Sequence, residues 1–322
     1  MKNQLYPFVF QPILKHRIWG GGKLATVLGK EIPDDRTGES WELSAVEGDV
    51  SVVSNGPLEG TPLSQLIAQF PEALLGKDVY EKFGDQFPLL FKFIDAREDL
   101  SIQVHPNDKL AKERHNSFGK TEMWYVMDAD AGSRIIVGFK PGATSKKYLE
   151  ALQAGTLPAL LEQKQAKAGD VFFLETGTVH AIGGGILLAE IQQTSDITYR
   201  IYDWDRVDQN GKGRELHVEQ ALEAMNYGPV DAVRSYDKTP NTANSMVSCP
   251  YFTTRFIPLD GQYRPDVPQG SFIVYMCVEG QFSISANEVD YLFTKGDTVL
   301  VPAGCNDGLL TGNATLLQVY VS

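Results

Sequence analysis

Histidine, carboxylate and amide side chains occur in three short segments in a pattern that suits a metal site. The segments are Gln103-Val-His105, Lys120-Thr-Glu122 and the run from Gly169 to His180. Successive side chains of a strand point to opposite faces, so Gln103 and His105 share one face of their strand. Lys120 and Glu122 share a face in the same way. Each pair therefore delivers two polar groups to one place.

The donor types indicate which ion such a site would take. Two imidazoles, one carboxylate and an amide oxygen, with a position left for water or substrate, suit Zn²⁺ or a similar divalent ion in a catalytic role. A structural zinc would more often be ringed by thiolates. The three cysteines, Cys249, Cys277 and Cys305, are too few and too widely spaced for a thiolate cluster or a disulfide framework. We therefore predict one catalytic metal ion per chain and reduced, buried cysteines.

Composition limits the class of protein. With 322 residues, 43% of them hydrophobic, the chain exceeds one typical core, which favours two domains. A net charge of −12 argues against a nucleic-acid partner, because the surface would repel phosphates. An anionic substrate would require basic residues to be concentrated in its pocket. The N-terminal residues lack an apolar region, and no apolar run approaches the roughly 20 residues that span a bilayer. We expect a cytoplasmic protein without a membrane partner, monomeric or weakly homodimeric.

Most of the sequence predicts β structure. Strands are indicated by short segments rich in aromatic and β-branched residues, namely 89–94, 123–127, 134–139 and 272–278. Many short strands with turn signals between them are typical of a sandwich or barrel. Helical patterns are fewer and cover residues 62–70, 71–83, 145–153, 156–165 and 218–225.

One stretch of the chain aligns without a gap on a later one. The run from Gly169 to His180 matches the run from Gly296 to Asp307, each with Gly-Asp, an apolar strand, a turn glycine and a final polar residue. This resembles the second conserved motif of cupin barrels, whose last residue is a ligand histidine. We therefore predict a mainly β fold with two cupin-like (jelly-roll) β-barrels and a few accessory helices. The linker-like composition near residue 237 divides the chain into a catalytic metal-binding domain, 1–236, with helical insertions, and a second barrel, 237–322, without metal.

Further motifs between about residues 10 and 210 occur together in one enzyme family. They are Trp19-Gly-Gly21, Gly38-Glu-Ser-Trp-Glu42, Pro88-Leu-Leu-Phe-Lys92, Leu100-Ser-Ile-Gln-Val-His-Pro106, Gly119-Lys-Thr-Glu-Met-Trp124, Gln192-Gln-Thr-Ser-Asp196 and Tyr199-Arg-Ile-Tyr-Asp-Trp204. Together they resemble the class I mannose-6-phosphate isomerases, in particular their compact bacterial branch. The resemblance fades across the C-terminal barrel. It implies a zinc-dependent interconversion of mannose 6-phosphate and fructose 6-phosphate.

The resemblance also implies residue roles. The family's metal ligands fall on Gln103, His105, Glu122 and His180. Its motif lysine falls on Lys120 and its arginine on Arg200. Longer members follow that arginine with Ala-Gly and then a lysine, whereas Arg200 is followed by Ile-Tyr-Asp-Trp-Asp-Arg206. Arg206 is the candidate substitute for that lysine.

Aldose–ketose isomerisation proceeds through an enediolate, so the site needs a base beside fixed positive charge. A divalent ion together with Lys120 and Arg200 would stabilise the developing oxygen charge. Glu190 alternates with Gln192 on one strand face. It serves either as the general base, with a pKa raised toward neutrality, or as the ion-pair partner of a nearby lysine or arginine.

Two more polar residues are candidates for substrate binding. Lys92, between two phenylalanines in an apolar strand, is expected to face a polar cavity. Asp196 either orients Arg200 or the base, or caps a turn. The rival functions are a cupin oxygenase using Fe²⁺ and O₂, which leaves Lys120 and Arg200 without a role, and a metal-dependent sugar-phosphate sensor, which needs no base.

Overall fold

Three layers of β-sheet with short helices at their edges make up the structure. The computed structural model describes residues 5–207, 210–266, 268, 270–305 and 308–321. The strands in these residues are β1 (Phe8–Val9), β2 (Ile13–Gly21), β3 (Thr37–Leu43), β4 (Ala45–Val46), β5 (Asp49–Val50), β6 (Leu89–Ala96), β7 (Ile102–Val104), β8 (Glu122–Ala129), β9 (Arg134–Phe139), β10 (Leu161–Gln165), β11 (Val171–Leu174), β12 (His180–Ile182), β13 (Ile186–Gln193), β14 (Tyr199–Tyr202), β15 (Val233–Arg234), β16 (Asn244–Ser248), β17 (Thr253–Tyr263), β18 (Ile273–Ala286), β19 (Val289–Thr294), β20 (Thr298–Val301) and β21 (Leu309–Tyr320). The α-helices are α1 (Lys23–Thr26), α2 (Leu63–Gln69), α3 (Pro71–Leu75), α4 (Lys77–Phe83), α5 (Asp108–His115), α6 (Ser145–Gln153) and α7 (Val218–Ala224). Short 3₁₀ turns cover Gly56–Leu58, Leu157–Leu160 and Ala303–Cys305.

Strand pairing defines three large sheets. The outer sheet has the order β10-β9-β12-β7-β14, and the central sheet has the order β15-β11-β8-β13-β6-β2-β3. The C-terminal sheet has the order β1-β20-β18-β21-β17-β16, with β19 paired to β18, and β4 and β5 form a small separate hairpin. The pairings among the described strands leave each sheet open. The mainly β class is therefore confirmed, whereas the two closed barrels stay a prediction.

The central sheet is buried on both faces, because β6 and β13 consist entirely of buried residues. On one face, Phe91 belongs to a large hydrophobic core that also contains Phe256 of the C-terminal sheet. On the other face, Ile94 packs with Val137 of the outer sheet. Because both faces are buried, the sequence of β6 is apolar almost throughout. Adjacent side chains of a strand point to opposite faces, so Lys92, two residues before Ile94, lies on the outer-sheet side.

The predicted internal repeat has a local structural counterpart. Gly169 and Gly296 both adopt positive φ angles, of 89° and 93°, ahead of the four-residue strands β11 and β20. The next residue, Asp170 or Asp297, donates its backbone N–H to the carbonyl three residues earlier and accepts that residue's N–H on its side chain. The two copies thus begin with the same turn. Asp307, the predicted replacement for the ligand histidine, lies outside the described residues.

The predicted helices are confirmed in part. Helices α2, α6 and α7 lie where the periodicity places them, and the 71–83 pattern is split into α3 and α4 at Gly76, where φ is 90°. The prediction of a helix over 156–165 is confirmed only for Leu157–Leu160, which form a 3₁₀ turn, and is wrong for the remainder. Residues 161–165 form the edge strand β10, paired with β9, because the free edge of the outer sheet offers hydrogen bonds that outweigh a modest helix propensity.

The N-terminal segment joins the far end of the chain. Phe8 and Val9 of β1 pair with Leu300 and Val299 of β20, so residues before the predicted boundary near 237 belong to the C-terminal sheet. The boundary itself stays a prediction. Among the described helices, none combines the length and the apolar character that a membrane crossing requires.

Candidate metal centre

Strands of two facing sheets bring the predicted ligands together. His180 opens β12 and is paired directly with Gln103 on β7, while His105 follows β7 by one residue. Glu122 opens β8 in the central sheet. One ligand atom each from His105, Glu122 and His180 lies within 4.8 Å of the others, and all three residues are buried. The four residues thus form one cluster between the sheets.

The atoms that face one another in the cluster are potential metal donors. Nε2 of His180 lies 3.3 Å from Oε1 of Glu122, and Nε2 of His105 lies 3.7 Å from Oε2 of the same carboxylate. The amide nitrogen of Gln103 lies 3.3 Å from Nε2 of His180. A half turn of this amide about its last bond would present its oxygen to the cluster instead.

Backbone carbonyls orient both imidazoles. Nδ1 of His105 donates to the carbonyl of Ile197, and Nδ1 of His180 donates to the carbonyl of Thr178, each over 2.8 Å. A carbonyl only accepts, so Nδ1 carries the proton and Nε2 keeps its lone pair toward the cluster. Burial, reinforced by the charge of Lys120, lowers the pKa of His105 well below its usual value and that of His180 to about 4. Both rings are therefore neutral at pH 7, the form that binds metal ions.

Glu122 is the least satisfied polar group of the cluster. Oε1 has no hydrogen-bond partner among the described residues, and Oε2 is paired with the ammonium of Lys120 over 2.9 Å. Burial raises the pKa of Glu122 despite that neighbour. A buried oxygen left without a partner costs about 1–3 kcal/mol, and a bound cation would remove that cost. The carboxylate with its unpartnered Oε1 and the two neutral imidazoles fit a divalent metal ion.

A row of charged and aromatic side chains borders the cluster on the central sheet. Trp41, Lys92, Glu190 and Trp124 are direct neighbours across β3, β6, β13 and β8. Nζ of Lys92 lies 3.0 Å from Oε1 of Glu190, and the indole of Trp124 donates to Oε2 over 2.8 Å. Nζ of Lys120 lies 4.0 Å from Oε1 of Glu190. Lys92 therefore faces a polar site, as expected, although it is 5% exposed.

Glu190 forms an ion pair with Lys92, and its role as a base stays a prediction. Burial alone would raise the pKa of Glu190, but the charges of Lys120 and Lys92 outweigh it and lower the pKa below the ordinary value. The expectation that the pKa of Glu190 is raised toward neutrality is wrong, because two lysines converge on this carboxylate. The sequence alone does not reveal that convergence.

A cavity of about 390 Å³ lies beside the cluster, between the outer and central sheets. Its basic lining residues are Lys15, Arg17, Lys92, Lys120, Arg200 and Arg214. Its acidic lining residues are Glu39, Asp49, Glu190 and Asp196. Basic side chains are therefore concentrated here, in a protein with a net charge of −12. This meets the condition for an anionic substrate.

Arg200 differs from the other cations of the cavity in its partners. It forms no ion pair with any residue that the structure describes. Its Nε donates to the hydroxyl of Ser101 over 3.3 Å, and its terminal nitrogen donates to the carbonyl of Glu215 over 3.0 Å. Lys15 pairs with Asp49, by contrast. Arg200 therefore lies at the cavity wall without a direct carboxylate partner among the described residues.

Arg206 and Asp196 are placed differently from the sequence hypotheses. The guanidinium of Arg206 donates to the Asp203 carboxylate and to the carbonyl of Asp99, and Arg206 is not among the residues that line the cavity. Arg214 lies there instead, held by Asp203 over 2.5 and 2.7 Å. Asp196 is exposed at the cavity mouth and makes no ion pair with Arg200 in the described structure.

Sequence reasoning missed several lining residues, chiefly Arg214, Arg17, Glu39 and Trp41. The alternation of Glu39 and Trp41 within the segment Gly38-Glu-Ser-Trp-Glu42 was an available signal, since both side chains point to the same face of β3. Arg214 gave no such signal. It reaches the cavity because the chain returns after β14 and Asp203 fixes the guanidinium.

Replacement of Glu39 by glutamine should weaken folding in a pH-dependent way. Burial alone would raise the pKa of Glu39, but Lys92, Arg17 and the hydrogen bonds from Arg17 and Trp41 lower it to about 2. A depressed carboxylate pKa stabilises the folded state above the unfolded value and loses that effect as pH falls through the folded value. We expect E39Q to lose about 2 kcal/mol at pH 7, and the difference to shrink steadily below pH 5.

Urea unfolding of both proteins at pH 7 and at pH 4 measures this. The exposed Glu59 supplies the control, because E59Q should change stability by less than about 0.5 kcal/mol. An E39Q deficit that is the same at both pH values would contradict the assignment.

Comparison with known proteins adds independent information. Family models match two parts of the chain: the phosphomannose isomerase type I catalytic domain over residues 8–132, and the mannose-6-phosphate isomerase cupin domain over residues 242–321. Mannose-6-phosphate isomerase ManA of Bacillus subtilis is 40% identical over 320 residues, covering 98% of this chain and 99% of that protein. A mannose-6-phosphate isomerase of Streptococcus mutans is 38% identical over 299 residues, 92% of each chain. The crystal structure of the mannose 6-phosphate isomerase from Bacillus subtilis superposes with a TM-score of 0.90 at 33% identity, covering 98% of this chain and 100% of that one.

Proposed function

The chain belongs to the type I phosphomannose isomerase family, and we propose that it interconverts mannose 6-phosphate and fructose 6-phosphate through an enediolate formed in the cavity beside His105, Glu122 and His180. Membership makes it an isomerase. The observation that carries the proposed mechanism is the buried cluster of two neutral imidazoles and one carboxylate, beside a cavity that is rich in basic side chains and is lined by the neighbouring Gln103 and Lys120.

The proposed metal is one Zn²⁺ per chain. His105, Glu122 and His180 would hold it, with Gln103 as a fourth donor, since nitrogen and oxygen donors in this number suit zinc in a catalytic site. Zinc bound there would polarise the carbonyl and hydroxyl oxygens of the substrate.

Lys120 and Arg200 are proposed to supply fixed positive charge to the substrate oxygens. Burial would lower the pKa of Lys120, but Glu122 and Glu190 outweigh it and raise the pKa, so the ammonium stays charged and can donate to an enediolate oxygen. Arg200 is supported by its lack of a carboxylate partner in the described chain. A preorganised cation of this kind needs no reorganisation when oxygen charge develops.

Glu190 is proposed as the base. It takes the proton from C2 of the open-chain aldose and returns it to C1, while a second proton shifts from the C2 hydroxyl to the C1 oxygen. The lowered pKa keeps Glu190 ionised at neutral pH, and Lys92 and Trp124 fix its orientation. A base of depressed pKa is weaker, so the catalytic gain rests on positioning rather than on basicity.

The remaining cavity residues are proposed to bind the sugar phosphate. Lys92 donates to a sugar hydroxyl, and Asp196 accepts from another at the cavity mouth. Arg214 takes the phosphate-binding role first considered for Arg206, because Arg214 lines the cavity and its guanidinium is already oriented by Asp203. A planar guanidinium matches the oxygens of a phosphate group.

The finer architecture also belongs to the proposal. Two cupin-like barrels, with a boundary near residue 237, are supported by the equivalent turns at 167–170 and 294–297. A cytoplasmic location and a monomeric or weakly dimeric state stay predictions.

Incubation with fructose 6-phosphate in D₂O tests the function. We expect mannose 6-phosphate to accumulate and to carry deuterium at C2 in proton NMR spectra, because a carboxylic acid formed by proton abstraction exchanges with solvent during the enediolate's lifetime. Chelation should abolish turnover, and added Zn²⁺ should restore it.

The rival functions give different results in the same experiment. A sugar-phosphate sensor would bind the sugar without forming product or exchanging the C2 proton. An oxygenase would require Fe²⁺ and consume oxygen. Either result would overturn the proposed reaction.

A further inference from the structure

Lys120 lies in a part of the chain that regular secondary structure does not hold. Residues 118–121, between α5 and β8, belong to neither a helix nor a strand. The side chain is nonetheless 5% exposed, with Nζ 3.2 Å from Nε2 of His105 and 2.9 Å from Oε2 of Glu122. A main-chain hydrogen bond from the N–H of Gln193 on β13 reaches the carbonyl of Thr121 over 3.1 Å, and side chains supply the other contacts that fix the backbone around this ammonium.

Two side chains hold the backbone on either side of Lys120. The N–H of Gly119 donates to Oδ1 of Asp108 over 2.9 Å, and the N–H of Thr121 donates to Oε1 of Gln193 over 2.9 Å. The amide of Gln193 donates in turn to Oδ1 of Asp108 over 3.0 Å. Asp108 and Gln193 thus form one bonded unit whose two acceptors take the amides before and after Lys120.

The backbone also approaches Asp108 too closely for any residue larger than glycine at 119. A Cβ atom on Gly119 would lie 2.7 Å from the backbone nitrogen of Asp108 and 2.9 Å from the carbonyl carbon of Asn107. The start of α5 and the segment that carries Lys120 are therefore in direct backbone contact, so a shift of Asp108 would be passed to Lys120.

The second oxygen of Asp108 is held from the C-terminal part of the chain. The hydroxyl of Tyr251, between β16 and β17, donates to Oδ2 over 2.6 Å. The same loop is anchored on α4, because Nζ of Lys82 donates to the carbonyl of Pro250 over 3.0 Å. Tyr251 is half-buried at this junction. Rotation of the Asp108 carboxylate is thus opposed at both oxygens.

We propose that Tyr251 is a positioning residue for the isomerase reaction, acting on Lys120 through Asp108 and Gln193. The C-terminal sheet, which contributes no residue to the metal cluster among those described, thereby gains a part in catalysis. The inference rests on the role proposed for Lys120. Loss of the Tyr251 hydroxyl leaves Asp108 free to turn, which loosens both amides that flank Lys120.

The variant Y251F removes this hydroxyl and little else. We expect kcat to fall about ten- to a hundredfold, because displacing a catalytic group by about 1 Å has an effect of this size. KM should stay within about twofold of its original value, and the bound metal should be unchanged. Amide hydrogen exchange of Gly119 and Thr121, followed by NMR, should become faster. A purely structural effect would instead raise exchange throughout the core shared with the C-terminal sheet.

The variant Y236F is the matched control. The Tyr236 ring packs on Phe256 of the C-terminal sheet, and its hydroxyl donates to the carbonyl of Gly169 over 2.8 Å. It therefore also links the C-terminal sheet to the rest of the chain, but none of the hydrogen bonds described for it involves Asp108, Gln193 or residues 118–121. We expect normal kcat and normal exchange at Gly119 and Thr121 in Y236F.

Unchanged amide exchange at Gly119 and Thr121 in Y251F, or an unchanged kcat of Y251F, would overturn the inference. A fully active K120A would instead refute the role of Lys120 itself, while the exchange measurement would still report whether Tyr251 restrains the segment.

Discussion

Replacement of His180 by alanine is expected to abolish metal binding and to lower kcat/KM at least about 10³-fold, because metal-assisted charge stabilisation is worth several kcal/mol. The imidazole is buried and oriented by the Thr178 carbonyl, so no other side chain can replace its Nε2 in the cluster. Elemental analysis of the purified protein, together with the isomerase assay, measures both losses.

Two further variants make this result specific. E122Q keeps the shape of the carboxylate and removes its charge, so it should lose metal and activity as H180A does while remaining folded. H115A removes a histidine that contacts the Tyr199 hydroxyl away from the cluster and should retain both properties. Stoichiometric metal in H180A would leave the proposed centre without support.

Replacement of Arg200 by alanine is expected to lower kcat about 10²- to 10³-fold while the bound metal stays at the normal level. Arg200 sits beside Gln103 across β14 and β7, but its guanidinium contacts Ser101 and the carbonyl of Glu215 rather than a metal ligand. Steady-state kinetics combined with metal analysis separates this variant from H180A.

Arg214 provides the comparison for Arg200. If Arg214 holds the phosphate, R214A should raise KM about tenfold with kcat nearly unchanged, the pattern of lost uniform binding. A fully active R200A would remove that residue from the mechanism. An R214A variant with normal KM would place the phosphate elsewhere in the cavity.

The cluster of Gln103, His105, Glu122 and His180 was predictable from sequence in part through the alternation of strand side chains and in part through the family resemblance, which implied that the four residues converge. Alternation along a strand fixes the face of Gln103 relative to His105, and the repeated Gly-Asp turn fixes where the strand before His180 begins. Neither inference needs any knowledge of distant contacts. The polar surroundings of Lys92 were also predictable, because a charged lysine in a strand that is buried on both faces must reach a polar cavity or an oppositely charged group.

The predictions that were wrong concern contacts between segments that are distant in the sequence. Arg214 rather than Arg206 reaches the cavity because Asp203 binds both guanidinium groups and sets their directions. The pKa of Glu190 is lowered because Lys120, from the segment before β8, and Lys92, on β6, both approach it and outweigh its burial. No local pattern encodes either outcome.

The helix α5 was missed for a different reason. It is strongly polar, and Ala111 is its one buried residue, so it shows no apolar stripe. The signal that does exist is the cap: the Asn107 side chain accepts the N–H of Leu110. Conversely, residues 161–165 have a helix-forming composition but complete the edge of a sheet.

The pairing of β1 with β20 and the core that joins the central and C-terminal sheets bear on how the chain reaches its native state. A fragment ending near residue 236 would expose the Phe91 side of the central sheet to water and leave Phe8 and Val9 without their partner strand. The complementary fragment would lack its own edge strand. We therefore expect the two halves to fold and unfold together, and the isomerase site to form only once the C-terminal strands are present.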